Sequence, residues 1–290
     1  MQVATSSQQS LFGQSSANDW PEMRVHEAFE TVADRQPTAP AIISDKGIVS
    51  YADLDQKANV LAQALLAQGI EAEEAVGVLT ERSADLPLAF LAILKAGGVY
   101  VPMGADLPAQ RLACMAAQSR MHCVIILDGV APQEELLSAM AENTSGKVPA
   151  ILRPEEVGRS TTDRDRERPN RPGKICDLVA ILFTSGSTGE PKGVMLQHDA
   201  CINLAYGHIS AQNITSDDRV LLAAAPGFIM GFRELCLPVL AGAAIVPASR
   251  ELQNDPRALL ATMSRHRVTV AMFTPSYLRL FERAVPAGLR

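Results

Sequence analysis

Leu178-Val-Ala-Ile-Leu-Phe-Thr184-Ser185-Gly186-Ser187-Thr188-Gly189-Glu190-Pro191-Lys192-Gly193-Val194 is the stretch on which the reading of this 290-residue chain turns. An apolar run, read as a strand, passes into three glycines, four hydroxyl side chains and one lysine. Glycine lets backbone N–H groups approach an anion closely, hydroxyls donate further hydrogen bonds, and lysine brings a positive charge. That is the chemistry of a loop that grips phosphate. Two common phosphate loops are excluded by spacing. The pattern GxxxxGK[ST] needs Gly and Lys in succession before Ser or Thr, whereas Lys192 stands between Pro191 and Gly193. Gly186, Gly189 and Gly193 are spaced too widely for the dinucleotide pattern GxGxxG.

Working outward, the same alternation of short apolar strands and helical stretches recurs. Ser50 and Asp53 open a helix as a capping box, and Leu54, Ala58, Leu61 and Leu65 follow at helical spacing until Gly69. Leu86 to Leu94 is apolar on nearly every side and reads as a buried helix closed by Gly97 and Gly98. Strands are expected at Ala75 to Leu79, Val99 to Pro102, Val124 to Leu127, Leu178 to Phe183, Val220 to Ala224, Ala244 to Pro247 and Val268 to Phe273. The fold class expected is α/β, with layered, mainly parallel sheets and helices on both faces. Residues 1–22 read as a flexible Ser/Gln-rich leader, and 23–290 as one domain. The charged, proline-bearing run at about 154–174 reads as a surface loop.

A formal charge of −6 argues against a nucleic-acid binder. No apolar run approaches the roughly 20 residues of a membrane span, and no signal-peptide pattern opens the chain, so no membrane partner is expected and a cytoplasmic location is. Cys114, Cys123, Cys176, Cys201 and Cys236 are odd in number and scattered without a CxxC pair, which excludes a disulfide framework and a zinc site.

The TSGSTGEPKGV string resembles the phosphate-binding signature of the adenylate-forming superfamily: nonribosomal peptide synthetase adenylation domains, acyl-CoA synthetases and luciferases. Val49-Ser-Tyr51-Ala-Asp-Leu54 resembles the first core motif of adenylation domains. Leu94-Lys-Ala-Gly-Gly-Val-Tyr-Val-Pro102 resembles the second, followed by Pro108 and Arg111, and its form favours the peptide-synthetase branch. Val194-Met-Leu-Gln-His198 and the segment around Thr274-Pro275-Ser276 extend the likeness.

The resemblance implies ATP-dependent activation of a small carboxylic or amino acid as an acyl-adenylate, with release of pyrophosphate. Transfer to a pantetheine thiol, on a carrier protein or CoA, would follow. ATP and Mg2+ are the implied cofactors. Thr184, Ser185, Ser187, Thr188 and Lys192 are the implied phosphate contacts, with Gly186 and Gly189 shaping the backbone; His198 either meets the substrate carboxylate or caps the following helix. The family's later motifs, and its lid domain with the catalytic lysine, are not found up to Arg290. The resemblance therefore implies the N-terminal part of such a domain; the alternative is a non-catalytic remnant or interaction module.

One departure concerns the acid. Peptide-synthetase domains carry Phe-Asp where this chain has Phe228-Ile229, and Met230 and Arg233 follow. In that family the Asp holds the substrate's α-ammonium, and isoleucine cannot pair with an ammonium. An aryl, hydroxy, keto or fatty acid is the expectation. Arg233 either faces a substrate anion or lies on the surface.

Overall fold

The computed structural model describes residues 20–127, 130–142, 149–158, 162–185 and 191–284. Ten strands occur among them: β1 (Pro40–Ser44), β2 (Gly47–Ser50), β3 (Ala75–Thr80), β4 (Val99–Gly104), β5 (Cys123–Ile126), β6 (Ala150–Leu152), β7 (Leu178–Ser185), β8 (Pro191–Gln197), β9 (Arg219–Leu222) and β10 (Ala244–Pro247). The helices are α1 (Val25–Arg35), α2 (Tyr51–Ala67), α3 (Leu86–Lys95), α4 (Ala109–Ser119), α5 (Glu134–Glu142), α6 (Pro154–Val157), α7 (His198–Gln212), α8 (Ile229–Ala241), α9 (Arg250–Asn254), α10 (Pro256–Arg265) and α11 (Pro275–Ala284).

The strands form two sheets, ordered β6-β5-β3-β4-β7-β8 and β2-β1-β10-β9. Every pairing among them is parallel except β7 with β8 and β1 with β2, which are the edge hairpins. Alternation along each strand explains the layering, because successive side chains point to opposite faces. Val76 and Val78 of β3 face a central layer built from α1, α2, α3, α7 and α8, while Ala75 and Leu79 face α4 and α5. In β9, Val220 and Leu222 face the same central layer, and Leu221 faces α10 and α11. Helices thus cover both faces of both sheets, as the apolar strand runs require.

The cap of α2 forms as expected: Ser50 Oγ accepts the Asp53 N–H at 3.1 Å, and Asp53 reaches back to Ser50. Tyr51, the next residue, is fully buried, and its Oη lies 2.8 Å from Ala243 O and 3.1 Å from Pro238 O, tying α2 to α8. All ten residues of α3 are buried. Its last residue, Lys95, is 1% exposed and pairs with Glu30 and with Asp55 at 2.8 Å.

One expected strand is not formed. Val268 to Phe273 is not a strand; a single bridge joins Val270 to Val220. Leu221 N–H donates to Val270 O at 2.9 Å, but the chain then turns so that Phe273 packs on Tyr277 and Phe281 of α11. Residues 162–174 lie on the surface but are strapped down. Arg168 binds both Asp34 oxygens at 2.7 and 2.9 Å and Asp55 at 3.0 Å, and Asn59 donates to Arg166 O at 2.8 Å. Of the leader expected over 1–22, residues 1–19 lie outside the described residues, while Trp20 stacks on Tyr206 with ring centres 5.6 Å apart.

Candidate active site

A cleft of about 680 Å³ opens where strands of both sheets end. The C-terminal ends of β3, β4 and β7 form one side, and the turn from β9 into α8 forms the other. Crevices outside the carboxyl ends of parallel strands are where α/β folds place ligands, because loops there can vary without disturbing the sheet.

The described ends of the phosphate-loop sequence belong to β7 and β8, which pair antiparallel. Thr184 stands opposite Lys192, Leu182 opposite Val194 and Ala180 opposite Leu196. Directly opposed residues of an antiparallel pair share a face. Thr184, Leu182, Val194 and Leu196 border the cleft, as does Phe183 of the opposite face, and register puts Lys192 on the face of the first four. Thr184 Oγ1 donates to Lys192 O at 3.4 Å, and Lys192 is exposed. Gly193 is needed for close packing, since a Cβ there would lie 2.9 Å from the Ile181 side chain. Ser185 ends β7 opposite Pro191; Gly186, Ser187, Thr188 and Gly189 lie outside the described residues. The segment that follows the loop sequence, Pro191–Gln197, is strand β8 and not the N-terminus of a helix.

The opposite wall is the turn Ala223–Phe228 and the first turn of α8. Phe228 and Ile229 are 69% and 46% exposed on the cleft. Phe228 also borders a second cavity of about 260 Å³, together with Met230, Met272, Phe273 and Tyr277. Among the described residues, no charged side chain lines this second cavity. Gly231 lets α8 sit against the turn, because a Cβ would lie 2.5 Å from Ala225 O.

Beneath the turn is a residue whose role the sequence did not show. Glu234 is fully buried, and its Oε2 accepts the N–H groups of Ala223 and Ala224 at 2.7 Å each. Burial pushes its carboxyl up to about 7 against the pull of those two amides. A lone buried carboxylate gives no periodic signal in the sequence.

Two candidate residues lie away from the cleft lining. Arg233 is half-buried against α7, where its Nη2 lies 3.0 Å from His208 Nδ1, and its shielded Nε has no partner among the described residues. His198 is buried and starts α7, yet its Nδ1 accepts the Val25 N–H at 3.1 Å. It therefore caps α1 rather than the helix it begins. Burial pushes the His198 imidazole down to about 4, which keeps it a neutral acceptor.

The profile of the AMP-binding enzyme family matches residues 29–288. The chain belongs to that family. Relatives of this AMP-binding chain include tyrocidine synthase 1 of Brevibacillus parabrevis, 32% identical over 254 residues, which are 88% of this chain and 22% of the synthase. Bacitracin synthase 1 of Bacillus licheniformis is 32% identical over 253 residues, 87% of this chain and 4% of that protein. The chain thus spans less than a quarter of these curated relatives. Among solved structures, the nonribosomal peptide synthetase FmoA3 in an AMPPNP-bound form superposes with a TM-score of 0.76 at 24% identity over 91% of this chain and 27% of that one. The N-terminal subdomain of Klebsiella oxytoca NpsA in complex with 3-hydroxybenzoyl-AMSN gives a TM-score of 0.75 at 25% identity, covering 90% of this chain and 62% of that one. These likenesses uphold the resemblance to peptide-synthetase adenylation domains and the α/β fold expected from it. Among the described residues no helix is long and apolar enough to cross a membrane, and no group of three or more His, Cys, Asp or Glu is placed to hold a metal ion.

Proposed function

We propose that this AMP-binding chain contributes the nucleotide and acid sites for activating a carboxylic acid as its acyl-adenylate. The observation that carries this reading is the pairing of Lys192 with Thr184, a residue that borders the cleft at the strand ends. ATP supplies the α-phosphorus: a substrate carboxylate oxygen bonds to it, the bond to the β-phosphate breaks, and pyrophosphate leaves. The chain's part is to hold the tail of ATP and to seat the acid. Lys192, Thr184 and Ser185, with Ser187 and Thr188 of the same loop sequence, would bind the β- and γ-phosphates, where fixed donors stabilise charge as it develops. Asp106 is already engaged by Arg250 at 3.3 Å, so the described residues of the cleft hold no prepared cation nest. Magnesium would arrive on the nucleotide, as it commonly does.

The acid is proposed to lack an α-ammonium. Ile229 stands where that group's carboxylate partner would be, and the adjoining cavity beside Met230 carries no charged side chain among the described residues. A buried ammonium without a partner is strongly disfavoured. The likeness to a subdomain that holds a 3-hydroxybenzoyl analogue supports an aryl or similarly apolar acid. Pantetheine-linked transfer, on a carrier protein or CoA, is the proposed second step.

The test is acid-dependent exchange of labelled pyrophosphate into ATP by the native protein, with benzoic, hydroxy, keto and fatty acids set against amino acids. AMPPNP binding by the chain itself is measured in parallel. Lys192→Ala is expected to weaken nucleotide binding about 10- to 100-fold, in keeping with loss of a charge-assisted contact. Preference for a standard amino acid would overturn the substrate reading, and failure of the chain to bind AMPPNP would overturn the site.

A further inference from the structure

Two arginines border the cleft with guanidinium groups that have no hydrogen-bond or ion-pair partner among the described residues. Arg82 follows β3 in a left-handed backbone conformation (φ 78°), and its N–H and that of Ser83 both donate to Thr80 Oγ1 at 3.1 Å. Its side chain is half-buried, and burial pushes its pKa down. The charged and titratable groups that face it are Asp106, Arg250, Glu234 and Tyr277. Asp106 is engaged by Arg250, and Glu234 is engaged by the amides of Ala223 and Ala224. Arg111, in the first turn of α4, borders the same cleft, and its Nε is shut off from solvent without a partner among the described residues.

Shielded donors left unpaired are unfavourable unless a ligand uses them, and a guanidinium presents a rigid fork that matches the oxygens of a phosphate. Of the cleft's carboxylates, Asp106 is taken and Glu81 is exposed at the edge, so the two free arginines give the lining a cationic excess. Nothing in the phosphate-loop sequence or in the hairpin calls for this second set of cations.

We propose that Arg82 and Arg111 form a further phosphate-holding subsite of the cleft, separate from the hydroxyl-rich hairpin. The inference rests on the nucleotide-site reading above. Its ligand chemistry is a phosphate group, carried either by the polyphosphate tail of ATP or by the phosphorylated end of a pantetheine arm.

Titration calorimetry on the purified chain tests it with ATP, pyrophosphate, 4′-phosphopantetheine and unphosphorylated pantetheine. Arg82→Gln and Arg111→Gln are each expected to weaken a phosphorylated ligand at least 10-fold while leaving pantetheine unchanged. Arg265→Gln, at an exposed residue paired with Asp45, serves as the control. Loss of affinity for ATP and pyrophosphate assigns the subsite to the nucleotide tail; loss for phosphopantetheine assigns it to the thiol arm. Footprinting of the unmutated protein with phenylglyoxal, mapped by mass spectrometry, reads the same contacts without relying on variants. Protection of Arg82 and Arg111 by the phosphate ligand, with Arg265 still modified, is the result expected. Unchanged affinity in both variants together with no protection overturns the subsite while leaving the hairpin site standing. Absence of ATP and pyrophosphate binding to the unmutated chain overturns both.

Discussion

The carboxylate of Glu234 accepts the backbone N–H of Ala224 at 2.7 Å, and with it that of Ala223, so one buried acid on α8 fixes the turn between the two cavities. Burial raises its pKa to about 7 from an ordinary value of 4.5. Between those values the folded protein keeps a proton that the unfolded chain has lost. Glu234 therefore favours the fold fully below the lower value, and this contribution is lost as pH rises to about 7. The loss is on the order of 3 kcal/mol. Glu234→Gln keeps an acceptor but does not titrate. Urea midpoints at pH 5 and pH 8 are expected to differ less in this variant than in the unmutated protein; equal differences would count against the assignment.

His198 acts with the opposite sign. Its ring accepts the Val25 N–H only while neutral, and burial, then the charge of Arg24, holds its pKa at about 4. The unfolded chain gains this proton near pH 6.5, so the fold loses stability as pH falls from there towards 4. His198→Ala is expected to cost about 1–3 kcal/mol by leaving a buried N–H unpaired. His198→Asn, which restores an acceptor near the position of Nδ1, should recover part of that cost and flatten the acid limb. Hydrogen exchange at the Val25 amide reports the contact directly and should accelerate only in the alanine variant.

How much of this was legible depends on whether the signal lay in local pattern or in distant contacts. The Ser50–Asp53 cap, the wholly buried α3 and the strands from β3 to β5 follow from nearest neighbours along the chain. The β8 strand was hidden because Pro191 and Gly193 are poor strand formers, and only contact with β7 offsets them. The β1–β2 hairpin was overlooked although Asp45-Lys46-Gly47 carries a turn signal, with Gly47 at φ 129°. Val268 to Phe273 has a strand's composition, but its aromatic end packs on α11. Thr184, Phe228 and Ile229, singled out by motif, border the cleft, whereas the contacts of Glu234 and His198 join separate segments of the chain and left no local signal.

Lys95 shows how such contacts stabilise the central layer. It is buried at the end of α3, with Glu30 from α1 and Asp55 from α2 as partners, and Arg168 meets Asp55 from the surface strap. Lys95→Met would leave carboxylates behind with only the part-exposed Arg168, and breaking a buried pair from one side costs about 3–5 kcal/mol. Arg168→Ala should cost less, about 1 kcal/mol, because a third of that side chain meets solvent. It should nonetheless speed proteolysis within residues 162–174. A double-mutant cycle of the two is expected to show coupling through Asp55; strictly additive denaturation energies would show that the network does not act as a unit.

The substitution Ile229→Asp addresses substrate choice directly. Ile229 is the first residue of α8 and is 46% exposed on the cleft, so an aspartate there gains from the helix N-terminus and buries no new charge. In the unmutated protein, an α-ammonium at this wall would meet isoleucine and the uncharged cavity beyond it. In the variant it would meet a carboxylate, and a charge-assisted hydrogen bond is worth about 1.5–3 kcal/mol. The ratio of phenylalanine to 3-phenylpropionate in pyrophosphate exchange should therefore rise about 10- to 100-fold. Ile229→Asn, which has the same shape without the charge, should leave the ratio close to that of the unmutated protein. If Ile229→Asp leaves the ratio unmoved, the ammonium position lies elsewhere in the cleft and the residue at 229 does not set substrate class.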